Sequence, residues 1–185
     1  MIKKWKVLER EDISPSKWFP LEKQKVQLPS GTLLDDYYIG RLGNVAMIIP
    51  VTSEGEIVFV KQYKNGVGEI ALELPAGYIE KDQTPLEAAQ AELAQETGIE
   101  SPGIEYIGEL WTSPTKIDTK VFGFIVKDAV ITCGQNLDVT EEIEIKRISI
   151  KKELDQYILS GEINCSDTLA LLHLAKIKYP QIFSR

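Results

Sequence analysis

Residues 74–99 read LPAGYIEKDQTPLEAAQAELAQETGI, and this stretch decides how the whole chain is interpreted. Thr84 and Glu87 have the spacing of a capping box, in which each residue binds the backbone N–H of the other. Pro85 occupies the first helical position and Gly98 follows the last one. The alanines and leucines between these ends are strong helix formers. The sequence therefore predicts a capped helix of about three and a half turns that begins at Pro85 and ends just before Gly98.

Two glutamates on this helix have the spacing of metal ligands. Glu92 and Glu96 are four residues apart, so they project from one stripe, and we expect Glu96 to face solvent and a metal ion. Like charges at this spacing repel each other, and a bound cation would convert the repulsion into attraction. Two carboxylates, a backbone carbonyl and water suit Mg²⁺ or Mn²⁺. The alternative is a pair of glutamates on an ordinary solvated face. The glycine-bearing turn at 74–77 favours the metal site, because glycine lets backbone groups approach a ligand.

The remaining sequence predicts many strands, one helix in the middle and helices at the end. Strands are predicted at 44–52, 56–63, 70–74, 104–110, 120–130 and 142–150, two more flank Ser30-Gly31, and further helices are predicted at 151–159 and 166–178. The run at 44–52 is almost continuously apolar, as expected of a strand buried on both faces. This order favours an α/β sandwich with a mixed sheet. We expect residues 1–42 to form a small β-sheet extension and residues 43–185 the main domain.

Side-chain periodicity adds two expectations about the helices. Leu86, Ala89 and Leu93 share one face of the helix that starts at Pro85, and this face should pack on the sheet. Ser166 is expected to cap the final helix.

Composition limits the possible functions. The chain has 185 residues, of which 43% are apolar, which is about one domain with a short extension. A net charge of −7 and the lack of any run of four basic residues argue against binding to nucleic acid or to a membrane surface. The two cysteines lie outside any C-x-x-C motif and are expected to be reduced, and one histidine cannot build a zinc site of several histidines. We expect a soluble, cytoplasmic protein.

Residues 77–99 resemble the signature of the Nudix hydrolases. That signature reads Gly, five residues, Glu, seven residues, Arg-Glu, an aliphatic, one residue, Glu-Glu, one residue, Gly and an aliphatic. With Gly77 on the first glycine, the spacing is preserved over all 23 positions, and the matching residues are Glu92, Leu93, Glu96, Gly98 and Ile99. Three positions depart from it: Gln83, Ala91 and Gln95 replace a glutamate, the arginine and a glutamate, respectively.

The resemblance implies a Nudix-type α/β/α sandwich and roles for the matching residues. Glu92 and Glu96 correspond to the principal metal ligands of the family, and Ala76 to the residue whose carbonyl often joins them. The missing arginine normally braces those glutamates, and losing such support typically costs about ten- to a hundredfold in metal affinity or activity. We therefore expect fewer metal ions, or weaker binding, than an intact signature gives.

Further residues resemble the ADP-ribose pyrophosphatase branch of the family. Lys64 falls where that branch has an arginine touching the phosphates of the substrate; lysine keeps the charge but loses the bidentate fork. Pro114 lies at the distance from the signature that marks the branch. The branch often places its general base in the acidic segment at 139–145, where Glu141 is our candidate and Glu142 the alternative.

The substrate and the assembly are predicted from weaker signals. Trp111 could stack on a nucleobase, as could Tyr37 and Tyr38, and Arg41 and Lys116 are candidate phosphate contacts. The N-terminal sheet of the ADP-ribose branch often exchanges between two subunits, so the resemblance implies a homodimer.

The expected activity is metal-dependent hydrolysis of a nucleoside diphosphate linked to another group, such as ADP-ribose or a nucleotide sugar, to two monophosphates. Glu96 would serve the metal and Glu141 or Glu142 the attacking water. The alternative is a catalytically weakened nucleotide sensor of the same fold. A triphosphatase of the same family fits less well, given the proline and the long N-terminal segment.

Overall fold

The computed structural model describes residues 1–184 and divides into two compact units. Residues 1–43 form the first unit together with residues 111–120, and the other described residues form the second. The predicted boundary lies after residue 42, and no pattern in the sequence indicates that residues 111–120 belong with the N-terminal strands.

The first unit is built on a three-stranded antiparallel sheet in the order β1-β2-β3. Its strands are β1 (Lys6–Asp12), β2 (Leu21–Gln27) and β3 (Leu33–Gly40). In the turn between β2 and β3, Gly31 has φ of 92°, which favours glycine. The two strands predicted on either side of this turn are confirmed. Strand β1 gives no sequence signal, because every one of its residues is exposed and no apolar alternation marks a buried face.

The second unit contains two sheets and four helices. Its strands are β4 (Val45–Pro50), β5 (Glu56–Lys64), β6 (Glu69–Glu73), β7 (Ala76–Tyr78), β8 (Ile104–Trp111), β9 (Lys120–Val126) and β10 (Ile143–Ser149). Trp111 at the end of β8 and Lys120 at the start of β9 are the boundary residues that belong to the first unit. The helices are α1 (Pro85–Thr97), α2 (Leu154–Leu159), α3 (Ser166–Lys178) and α4 (Pro180–Phe183). One sheet has the order β7-β4-β9-β8, with β4 parallel to β9 and antiparallel to β7, and the other has the antiparallel order β10-β5-β6. The predicted α/β fold with a mixed sheet is confirmed.

Strand β4 forms the centre of the second unit and is buried on both faces. Its alternate residues Ala46 and Ile48 belong to one core cluster, which includes Leu93 of α1. Met47 and Ile49 belong to the other cluster, which includes residues of α3. This explains the continuous apolar run, because a strand with a core on either side needs apolar residues at every position.

Helix α1 has the predicted bounds and caps. The Thr84 side chain accepts a hydrogen bond from the Glu87 N–H, and Gly98 ends the helix at φ of 68°. The predicted packing face is partly wrong: Ala89 and Leu93 are buried, but Leu86 is 42% exposed at the first turn.

Two other local predictions need correction. Cys165, and not Ser166, is the residue before α3, and it makes no side-chain capping bond. The strand predicted at 120–130 ends at Val126, because Asp128 adopts a left-handed φ of 53° that breaks the extended chain. None of the helices in residues 1–184 is long and apolar enough to cross a membrane, and the cytoplasmic location stays a prediction.

Candidate active site

Helix α1 presents its two stripe glutamates to the short strand β7. Glu96 is only 2% exposed, and its Oε2 accepts a hydrogen bond from the Ala76 N–H at 3.0 Å. The expectation that Glu96 faces solvent is therefore wrong. The spacing correctly puts Glu96 on one stripe with Glu92, but the residues of β7 contact that stripe and remove Glu96 from water.

Gly77, the first glycine of the signature, makes room for the second glutamate. A Cβ added at Gly77 would lie 2.0 Å from Oε1 of Glu92 and 2.6 Å from its Oε2. A side chain at this position would displace the carboxylate of Glu92, so glycine allows the carboxylate to lie against the backbone of β7. The spacing between Gly77 and Glu92 is thus a steric requirement as well as a sequence pattern.

The two carboxyl groups are held where ionisation is unfavourable. Burial, followed by the charge of Glu92, raises the pKa of Glu96 to about 8, although the Ala76 N–H and Lys64 act in the opposite direction. Burial, followed by the charges of nearby carboxylates, raises the pKa of Glu92 to about 7. At neutral pH the pair therefore keeps protons that ordinary glutamates would lose.

The acidic segment that lies close to these glutamates spans residues 137–142, and so begins and ends earlier than the predicted stretch at 139–145. Glu141, Asp138 and Glu80 are, in that order, the carboxylates whose charges raise the pKa of Glu92. Glu141 also acts on Glu96, whereas Glu142 is exposed and is not among the groups that act on either. The structure therefore brings Glu141 to the site. Asp138 is not among the predicted site residues, although its position three residues before Glu141 was a signal for it.

This segment has a defined shape of its own. The Glu141 N–H donates to the Asp138 carbonyl at 2.9 Å, and the Asp138 N–H donates to Glu141 Oε2 at 3.1 Å. The side chain of Glu141 is therefore held by its own loop, close to the stripe on α1.

The residues of this site fit a divalent cation by their chemistry. They offer hard oxygen donors, the preferred ligands of Mg²⁺ and Mn²⁺. Burial first, and then the charges of neighbouring carboxylates, raises the pKa of Glu92 and of Glu96, and a bound cation would favour their ionised forms. Glycine at position 77 leaves the carboxylate of Glu92 against the backbone. Within residues 1–184, however, no three side chains of the types His, Cys, Asp and Glu already form a metal cluster. A cation would have to draw its ligands together or complete its shell with carbonyl oxygen and water.

Lys64, the predicted phosphate contact, lies at the edge of this acidic group. Its Nζ is 2.5 Å from Glu73 Oε1, which also accepts a hydrogen bond from Gln62 Nε2 at 2.9 Å. Lys64 lowers the pKa of Glu96, so its charge reaches the stripe. Its predicted role toward the substrate stays a prediction.

Arg41 belongs to the first unit and is occupied by two ion pairs there. Its Nη2 is 2.8 Å from Glu22 Oε1, and its Nη1 is 2.7 Å from Asp118 Oδ2. Binding a phosphate through Arg41 would require it to give up one of these partners, and its substrate role stays a prediction.

The other three predicted substrate residues are exposed and lie in the segment 111–120 of the first unit. Trp111 is 68% exposed, and Pro114, three residues further along the chain, is also exposed. The Nζ of Lys116 lies 4.0 Å from the ring centroid of Tyr37, a cation–π contact. The structure thus joins Lys116 to one of the predicted aromatic residues, and the roles of these residues stay predictions.

The three positions that depart from the signature have different surroundings. Gln83 Oε1 accepts a hydrogen bond from the Glu80 N–H at 3.1 Å, so its side chain closes the loop before α1. Ala91 is partly buried and supplies no charge to the stripe. Gln95 is exposed, and its carbonyl accepts a hydrogen bond from the Asn136 N–H at 2.9 Å.

Comparison with known families gives two matches that together span most of the chain. Residues 41–156 match the NUDIX domain. Residues 5–39 match the nucleoside diphosphate sugar hydrolase N-terminal domain.

Individual relatives cover nearly the whole length. The chain is 29% identical over 174 residues to an ADP-ribose pyrophosphatase of Bacillus subtilis (strain 168), covering 94% of this chain and 93% of that protein. It is 28% identical over 176 residues to a methanol dehydrogenase activator of Bacillus methanolicus, with the same two coverages, 94% and 93%. A crystal structure of an ADP compounds hydrolase superposes with a TM-score of 0.83 at 19% identity, covering 98% of this chain and 97% of the other, which shows a shared fold.

Proposed function

The chain belongs to the NUDIX family and is a Nudix hydrolase, and from that premise we propose that it cleaves the phosphoanhydride bond of a nucleoside diphosphate linked to a second group. ADP-ribose or a nucleotide sugar is the proposed substrate. Two matches support this choice: the N-terminal domain named for nucleoside diphosphate sugar hydrolases, and the relative named as an ADP-ribose pyrophosphatase.

One observation carries the proposal: the carboxyl groups of buried Glu96 and partly buried Glu92 lie on the signature stripe, and both have raised pKa values. Burying carboxylates that repel each other destabilises a fold unless a bound cation compensates their charge. Carboxyl groups with perturbed pKa values therefore often mark a functional site. We propose Mg²⁺ or Mn²⁺ as that cation, held by Glu92, Glu96 and the carbonyl of Ala76. When bound, the ion would neutralise phosphate oxygens and acidify a water molecule.

Two side chains of this chain, Glu141 and Lys64, would activate the water and orient the phosphate. Glu141 would accept the proton of the attacking water, because it is the candidate base that lies close to the stripe. Lys64 would orient a phosphate by its charge while it keeps its ion pair with Glu73. Addition of water across the P–O–P bond gives two monophosphates, so the chain needs mainly to position groups and to stabilise charge.

We propose that the contacts to the rest of the substrate include Arg41, Trp111, Pro114 and Lys116. All four belong to the first unit, and all four lie within the NUDIX match at 41–156 rather than the N-terminal match at 5–39. Exposed Trp111, and Lys116 beside Tyr37, offer the stacking and cationic surfaces that a nucleoside diphosphate would need.

We also propose that the chain forms a homodimer through its first unit. Its support is the apolar surface there, which includes Trp18 at 81% exposed and Phe19 at 50% exposed. Large exposed aromatic side chains typically mark an interaction surface. Sedimentation velocity would test this: a single species of the mass of one chain would contradict it, and Trp18→Ser should dissociate a dimer.

A sensor without turnover is the second candidate, and Gln83, Ala91 and Gln95 favour it because each departs from the signature. The test is product analysis by chromatography with ADP-ribose, ADP-glucose, GDP-mannose, a diadenosine polyphosphate and dGTP, each with Mg²⁺ or Mn²⁺. We expect AMP and a sugar phosphate from an ADP-linked substrate. Thermal stabilisation by one nucleotide without any product would support the sensor and overturn the enzyme.

A pair of variants tests the assignment of the base. Glu141→Gln should lower kcat by about a hundredfold or more, the range of general-base catalysis. The matched control is Glu144→Gln, because Glu144 is exposed and lies 3.9 Å from Lys61 on the neighbouring strand. Equal activity of the two variants would contradict the role of Glu141.

A further inference from the structure

A short segment after β9 binds the C-terminal end of α1. The N–H groups of Thr132 and Cys133 donate to the Gly98 carbonyl at 2.8 and 3.2 Å, and the Asn136 N–H donates to the Gln95 carbonyl at 2.9 Å. The last carbonyls of a helix lack partners within the helix. Residues 132–136 therefore supply those partners and attach the chain to the end of the helix that carries Glu92 and Glu96.

Gln135 makes the most specific contact in this segment. Its Nε2 donates to the carbonyl of Glu96 at 2.7 Å and to the carbonyl of Ile143 at 3.2 Å. An amide group carries two donor hydrogens, so both bonds can form at once. Because Ile143 is the first residue of β10, one side chain joins the end of α1 to the start of β10.

These two bonds close the acidic segment 137–142 at its base. The internal bonds between Asp138 and Glu141 fix the shape of the segment, but they do not attach it to α1. Most of the segment is exposed, so burial contributes little to holding it in place. The position of Glu141 relative to Glu96 therefore depends on the contacts made by Gln135 and by the neighbouring Asn136.

We propose that Gln135 is a positioning residue for hydrolysis: it bridges the backbone of Glu96 and the start of β10 and so fixes the distance from Glu141 to the glutamate stripe. This inference rests on the proposed function, because it assigns Glu141 the work of orienting water. A displacement of a reacting group by about 1 Å can cost on the order of a hundredfold in rate.

The test compares Gln135→Met, which keeps the length of the side chain and removes both donors, with Gln90→Met. Gln90 is an exposed glutamine on α1 and serves as the matched control. We expect Gln135→Met to lower kcat by about ten- to a hundredfold with KM within about threefold, while Gln90→Met keeps the kcat of the wild type. In the metal-free protein, Gln135→Met should also speed hydrogen exchange across residues 136–142.

A double variant separates positioning from general damage. If Gln135 acts through Glu141, the double variant Gln135→Met with Glu141→Gln should be no slower than Glu141→Gln alone. Independent, multiplying effects would overturn the proposal, as would full kcat or unchanged exchange in Gln135→Met. If the wild type hydrolyses no substrate in the panel, the proposed function fails first, and the exchange comparison still decides whether Gln135 holds the segment.

Discussion

The pKa values of partly or fully buried carboxyl groups are shifted in opposite directions in the two units of this protein. In the first unit, partial burial would raise the pKa of Glu22, but hydrogen bonds from Gln24 and Arg41 and the charges of Arg41 and Arg10 hold it at about 2. In the second unit, burial and mutual repulsion raise the pKa of Glu96 to about 8. The same side-chain type is thus stabilised as an anion in one region and destabilised as an anion in the other.

The two regions separate charges that stabilise the fold from charges that are available to a ligand. The Glu22 carboxylate is matched by arginines of the same unit, so its charge is satisfied within the chain. The stripe of α1 has the opposite balance, because Lys64 is shared with Glu73 and further carboxylates stand nearby. An excess of negative charge of this kind marks a candidate binding site for a cation.

The largest expected effect comes from removing one charge of the stripe. Glu96→Gln should lower kcat by about a thousandfold or more, since a proposed metal ligand is lost while glutamine can still accept the Ala76 N–H bond. Glu100→Gln, at an exposed position just after α1, is the matched control. If Glu96→Gln turns over at the rate of the wild type, the stripe is not the metal site.

The same variant should change stability in a direction that depends on pH. Because the pKa of Glu96 lies above that of an unfolded glutamate, the folded state binds more protons between about pH 4.5 and 8, and wild-type stability should fall as the pH rises through this window. Glu96→Gln removes the part of that dependence that comes from Glu96, while Glu92 keeps its own part. Metal-free Glu96→Gln should therefore melt higher than the wild type at pH 9, and the difference should vanish at pH 4.

The next effect concerns the space that glycine provides. Gly77→Ala would place a Cβ 2.0 Å from Glu92 Oε1, so the carboxylate must move away from the backbone of β7. We expect kcat to fall by about a hundredfold and divalent-ion affinity to fall with it. Gly103→Ala is the control, because its Cβ would meet only Ser101 Oγ at an ordinary 3.6 Å. Equal ion affinity in the two variants would contradict the close approach.

A third change gives the stripe in the second unit an arginine, as Glu22 has in the first unit. Ala91→Arg with Gln95→Glu restores two residues of the signature, and we expect divalent-ion affinity or kcat to rise by about tenfold. Ala91→Met with Gln95→Glu adds similar bulk without the charge. If the arginine variant has no higher ion affinity or kcat than the methionine variant, the absence of the signature arginine does not weaken this site.

The smallest effect is expected in the first unit, where the charges are already matched. Arg41→Met should lower the free energy of unfolding by about 1–2 kcal/mol, and Arg41→Lys by less, because lysine keeps the charge but cannot bridge two carboxylates as a fork. Stability from Glu22 is present above about pH 4.5 and lost as the pH falls toward 2, so Arg41→Met should flatten the acid limb of a denaturation curve. An unchanged acid limb would contradict the pairing.

The sequence predicted the elements that carry their own local signals. Helix α1 was predictable to the residue because Thr84, Pro85 and Gly98 mark its ends without tertiary help. Strand β4 was predictable because a strand between two cores is apolar at every position. Strands β1 and β7 were not, since the first is exposed throughout and the second is three residues long.

Within the site, spacing predicted which residues share a stripe but not their environment. The burial of Glu96 depends on β7, which contacts α1 only after the chain has folded. Gln135 could not be found from its own position, because its importance comes from carbonyls that lie 39 and 8 residues away in sequence. Neither the contact between β7 and α1 nor the two bonds of Gln135 leaves a pattern in a single sequence.

The central claim is that Glu92 and Glu96 bind a divalent cation that displaces their protons. Its most direct test is calorimetric titration of the metal-free protein with Mn²⁺ at pH 7, in two buffers of different ionisation enthalpy. With pKa values of about 7 and about 8, the pair should release about 1.4 protons per bound ion at pH 7, and about 0.1 at pH 9. Saturable binding with that proton release, abolished in Glu96→Gln, is the predicted result. The contrary result is an absence of Mn²⁺ uptake, or uptake that releases no protons and survives the substitution.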